Sequence, residues 1–114
     1  MNSRIFVRFT WGAVHCWPGA PLRREYLKYP HRHIFNVEVA TSVSHDDREI
    51  EFHDLIDEAT ALMPGRDWGA LSCEHVARML GQQLANKYKR RFEVTISEDN
   101  EAGATVEVEP ERVG

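Results

Sequence analysis

KYPHRHIFNVEVATSV, residues 28 to 43, decides how this chain is read. Phe35, Val37, Val39, Thr41 and Val43 fall on one side of an alternating run, with Asn36 and Glu38 on the other. That period of two predicts a half-buried strand over 33–43. His31 and His33 lead into it. Side chains on a strand alternate, so both histidines share the parity of the apolar side. A pair of imidazoles at the start of a core-facing strand is either two half-buried strand-end residues or part of a ligand set.

Working outward, SRIFVRFTW (3–11) places Ile5, Val7, Phe9 and Trp11 on one parity and predicts a second strand. The segment between the two, WPGAPLRREYLKYP, contains three prolines and one glycine, which predicts a long irregular loop. Downstream, SHDDRE (44–49) is a polar bridge. Leu55, Ile56, Ala59, Leu62 and Met63 then follow the spacing of an amphipathic helix, stopped by Pro64-Gly65. Ser72 is a plausible N-cap for a second helix, with Glu74 in its first turn. Val76, Ala77, Leu80, Leu84 and Tyr88 supply the apolar stripe of that helix, and Gly81 is a weak point inside it. RFEVTIS and ATVEVE are two closing strands around the loop EDNEAG. The order strand, strand, helix, helix, strand, strand predicts an α+β fold. We expect a four-stranded antiparallel sheet with both helices on one face, in a single domain over 1–114.

The net charge is −4, from 14 Lys and Arg against 18 Asp and Glu. Phosphate neutralisation needs the opposite balance, so nucleic acid is not an expected partner. The local basic run KYKRR (87–91) reads as a solvated helix end. No apolar stretch approaches the ~20 residues that span a membrane. The opening MNSRIFVRFTW lacks the apolar core of a signal peptide, so the expected compartment is the cytoplasm. Cys16 and Cys73 have no metal-type spacing and predict no disulfide framework. Six histidines in 114 residues is the unusual count.

Three of those histidines have reason to meet. If the first strand runs on without a bulge, His15 shares the parity of Val7, Phe9 and Trp11. In an antiparallel pair, the end of the first strand lies beside the start of the second. His15, His31 and His33 then converge at one end of the sheet. Three imidazoles with an open fourth position suit a catalytic zinc, and the donor type also admits iron, copper or nickel.

Five ordered segments together carry a family likeness. They are VRFTWGAVH (7–15), HRHIFNVEV (31–39), REIEFHDLI (48–56), LSCEHVA (71–77) and EVTISED (93–99). The chain resembles the 6-pyruvoyl-tetrahydropterin synthases, which include the 6-carboxytetrahydropterin synthases of queuosine biosynthesis. The resemblance implies the tunnelling fold and zinc on His15, His31 and His33. It implies a trimeric barrel, often stacked into a hexamer, with sites between subunits. It implies a dihydroneopterin-triphosphate-type substrate whose side chain is altered by proton transfers and triphosphate elimination. Glu98 takes the place of the family's pterin anchor, and Ser72 and Cys73 stand where the pterin is contacted. Each also has a plain reading: Glu98 as an exposed strand end, Ser72 as a helix cap, Cys73 as a small core residue.

The chain departs from the family in its proton-transfer groups. The usual cysteine, four or six residues before the histidine pair, is replaced by Leu27 or Glu25. Glu25 is either a carboxylate base or a solvated loop residue among Arg23, Arg24 and Lys28. Cys16, next to His15, would face away on an uninterrupted strand. The family's Asp-His relay matches DWGAL (67–71), with Asp67 kept and Trp68 in place of the histidine. Indole cannot pass a proton as imidazole does. His53 and His75 are the remaining imidazoles near helix starts. Two readings follow: a zinc-dependent pterin-side-chain lyase using Glu25 and Asp67, or a non-catalytic homologue that binds zinc and a pterin.

Overall fold

The alternating run forms β2, His31–Val43, and its upstream neighbour forms β1, Ser3–His15. The structure, a computed structural model, describes residues 3–112. The two strands pair antiparallel throughout, from Ser3 opposite Val43 to His15 opposite His31. Their odd-numbered residues face the core. Val7, Ala13, Phe35, Val37, Val39 and Val43 are buried there, with Ile5, Phe9 and Trp11 packed at the margin.

Two α-helices follow, α1 at Phe52–Leu62 and α2 at Cys73–Tyr88. The Glu51 carboxylate caps α1 by accepting from Asp54 N at 2.7 Å. The Ser72 hydroxyl caps α2 by accepting from His75 N at 3.1 Å. Each cap satisfies an N–H that lacks a helical partner. The helix α2 ends at Lys89, whose φ is +56°. The basic run thus closes a helix, and Lys87 reaches Glu58 of α1 at 2.9 Å.

The chain then forms β4, Phe92–Glu98, and β5, Ala102–Val108, on the far side of β2. The helix α2 lies over these two strands. Gly81 is needed there: a Cβ would stand 3.0 Å from Val108 Cγ2 and 3.3 Å from Val94 Cγ2. The suspected weak point of the helix is a place where it packs tightly on the sheet.

The α+β class holds, but the expected four strands and two helices do not. A fifth strand, β3 at Asp67–Gly69, adds to the other side of β1 in parallel, giving the order β3-β1-β2-β4-β5. Three residues are too few to show a period. The expected irregular loop contains a third helix, a 3-10 helix at Leu22–Lys28. It sits between prolines, and Pro21 is its N-cap residue. Among the described residues, no helix is long and apolar enough to cross a membrane.

Candidate metal centre

Strand register brings the histidines together. His15 pairs directly with His31, and His33 lies opposite Ala13. The three ring centroids are 4.6, 5.1 and 4.9 Å apart. One ligand nitrogen from each ring lies within 4.8 Å of the others. Phe35 is their floor, meeting His15 and His33 edge-on at 5.3 and 5.7 Å. Trp68 stacks beneath Phe35 at 4.1 Å and 27°.

The polar environment supplies acceptors rather than donors. Glu98 Oε1 is 3.4 Å from His15 Nε2, and Oε2 is 3.7 Å from His33 Nε2. The His15 and His33 Nε2 atoms are buried and have no hydrogen-bond partner among the described residues. His31 Nδ1 donates to the Tyr29 carbonyl at 2.8 Å, so its Nε2 presents a lone pair. Burial holds the His15 imidazole below its usual range; Glu98 opposes this and His31 adds to it. A ring kept neutral in this way is the form that binds metal. Unpartnered buried imidazole nitrogens form a poor hydrogen-bonded core but a good cation site, because one cation satisfies them together. The residues therefore fit a zinc ion.

A cavity of about 410 Å³ opens beside the cluster. That lies within the roughly 300–1,000 Å³ of small-molecule sites. His15, His31 and Glu98 line it, and so do Ser72 and Cys73 from the start of α2. The Ser72 hydroxyl is committed to the cap and lies 3.0 Å from His75 Nδ1. Burial pushes the Cys73 thiol up to about 12, with Glu98 and Glu74 adding to it. It is a protonated wall group, not a thiolate.

The two expected proton-transfer residues are not on this wall. Glu25 is exposed on the 3-10 helix, whereas Leu27 lines the cavity. Asp67 is exposed on β3, where its Oδ1 accepts from Gly69 N at 3.1 Å. Trp68 is buried and donates to the Gly65 carbonyl at 2.9 Å. His53 is exposed and bonded to Glu51.

Cys16 lies where the sequence reading did not put it, and Asp99 was missed. Cys16 lines the cavity together with His15. The strand ends at His15, and Cys16 N donates instead to Gly69 O at 2.8 Å, so alternation does not carry past it. Asp99, in the turn between β4 and β5, holds His33 Nδ1 at 2.6 Å. Its one signal was the adjacent Asp and Asn of EDNEAG, residue types that tolerate the left-handed conformation of a turn. No protein-family model and no curated protein matches the sequence.

Proposed function

We propose that this chain is a zinc-dependent lyase acting on the side chain of a dihydroneopterin-type pterin, in a tunnelling-fold assembly. The observation that carries the metal is the pair of buried, unpartnered Nε2 atoms of His15 and His33 facing Glu98. The resemblance of the five ordered segments supplies the substrate class. His15, His31 and His33 hold the ion. When bound, zinc supplies Lewis-acid polarisation of a side-chain hydroxyl or carbonyl. Glu98 accepts from the guanidine-like edge of the ring, as a carboxylate suits such donors. Ser72 and Cys73 bound the ring beside α2.

Glu25 is the base in this reading, and it lies outside the cavity of its own subunit. Its role therefore depends on the trimer or hexamer that the resemblance implies, in which a neighbouring copy completes the site. The β5 edge supports such assembly, since an unpaired strand edge seeks a partner. A second reading, a non-catalytic zinc- and pterin-binding protein, is favoured by a specific feature: Trp68 is a core residue and Asp67 an exposed one.

The test compares wild type with Glu25→Gln on dihydroneopterin triphosphate, with zinc content, ring binding and light scattering measured in both. We expect a trimer or hexamer, little 6-pyruvoyl or 6-carboxy product, and a 6-hydroxymethyl product lost in the variant. Unchanged turnover in Glu25→Gln removes Glu25 from the chemistry. Ring binding without turnover in either protein establishes the second reading.

A further inference from the structure

We propose that Asp99 is a positioning residue that locks His33 in the one ring tautomer able to bind a metal. The inference rests on the metal-centre reading above. Asp99 is fastened to β2 at three points. Its Oδ2 is 2.6 Å from His33 Nδ1, its Oδ1 accepts from Ile34 N at 3.1 Å, and its own N–H donates to Ile34 O at 2.8 Å. The turn sets this geometry. Asp99 and Asn100 have φ of +52° and +61°, and Glu101 N closes the turn on Glu98 O at 2.9 Å.

An ionised carboxylate only accepts, so both of its partners must donate. Ile34 N–H is always a donor. His33 must therefore carry its proton on Nδ1, which leaves Nε2 as a lone pair. That atom is the buried, unpartnered one that faces Glu98 and the His15 ring. A ligating imidazole held by a carboxylate on its other nitrogen is a common arrangement that also makes the ring a better donor to the metal. His31 reaches the same tautomer through a main-chain carbonyl, that of Tyr29, which no substitution removes. For His33 the tautomer is set by a side chain, and a single atom change reverses it.

Asp99→Asn is that change. Its amide oxygen remains on Ile34 N–H, because turning the amide over would set two donors against each other. Its NH2 then points at His33 Nδ1. The ring satisfies it only by moving its proton to Nε2, the ligand atom. Asp99→Gly removes the clamp while suiting the positive φ, so the turn is kept and the tautomer is left free. A merely structural role ranks the isosteric Asn above Gly; a tautomer clamp does not.

The test uses metal-free wild type, Asp99→Asn and Asp99→Gly at mildly alkaline pH. The ring nitrogens of His33 are read by 15N NMR, and zinc affinity is read by competition with a chelator. We expect the proton on Nδ1 in wild type, on Nε2 in Asp99→Asn, and distributed in Asp99→Gly. Zinc affinity should fall by about 10- to 100-fold in both variants, and at least as far in Asp99→Asn as in Asp99→Gly. A proton that stays on Nδ1 in Asp99→Asn overturns the clamp, as does tighter zinc binding by Asp99→Asn than by Asp99→Gly. A wild type that takes up no zinc overturns the metal reading, and the tautomers of the metal-free proteins then still decide the clamp.

Discussion

One end of the sheet carries Arg90, Glu49 and Ser44; the other carries His15, His31, His33 and Glu98. At the first end Arg90 and Glu49 satisfy each other. The Arg90 guanidinium donates to Glu49 and to the Ser42 carbonyl, and Ser44 donates to Glu49. The side chains tie together the end where β2 leads out and β4 leads in. At the second end, imidazole nitrogens and a carboxylate converge, and the His15 and His33 Nε2 atoms have no hydrogen-bond partner among the described residues. Both ends are polar, and both flank β2 and β4. The difference is in the balance of donors and acceptors. A balanced end is structural, whereas buried nitrogens without partners are a place where a metal ion could be held.

The largest effect that separates the two ends concerns the floor beneath the histidines. Trp68→Ala removes an indole stacked on Phe35 in the core. It should cost about 3–5 kcal/mol in denaturant unfolding, and zinc affinity should fall with it because Phe35 loses its support. Normal zinc affinity in a protein destabilised by that amount would show that the floor does not shape the cluster.

Next comes Glu98→Gln. A hydrogen bond to a charged group is worth about 1.5–3 kcal/mol, so pterin binding measured by calorimetry should weaken by roughly 10- to 100-fold. Zinc content should be kept. If zinc is lost as well, Glu98 is a ligand of the ion and not the anchor of the ring.

The smallest effect belongs to the balanced end. Hydrogen bonds from Arg90, and then from Ser44, hold the Glu49 carboxyl at about 2, below its usual 4.5. A depressed carboxyl stabilises the fold above its ordinary pKa and loses that contribution as pH falls towards about 2. Glu49→Gln should therefore be less stable than wild type at neutral pH, with the gap closing between about 4.5 and about 2. Thermal unfolding of both proteins across that range reads it. A gap that does not change with pH would mean that the pair acts through packing, not charge.

The strands and helices were legible because each buries one regular side. Odd positions of β1 and β2 and the stripe of α2 repeat long enough to show a period. The strand β3 was not legible, since its three residues are held by pairing with β1 and not by a pattern of their own. The 3-10 helix was hidden by the prolines around it. The three histidines were legible because parity and antiparallel pairing together put His15 against His31. Cys16 was misread because parity was carried one residue beyond the end of the strand. Asp99 depended on where a turn lands in space, and composition alone does not give that. The expectation for Glu25 came from its count before the histidine pair, a spacing that says nothing of which way a 3-10 helix faces.

If His15, His31 and His33 hold one zinc ion, the metal stays with the protein through purification. Elemental analysis of protein purified without added metal tests it most directly, with the double variant His31→Ala, His33→Ala measured alongside. About one zinc per chain is expected in wild type, as a three-imidazole site requires, and none in the variant. Fully folded, metal-free wild type that takes up no zinc on reconstitution would contradict it.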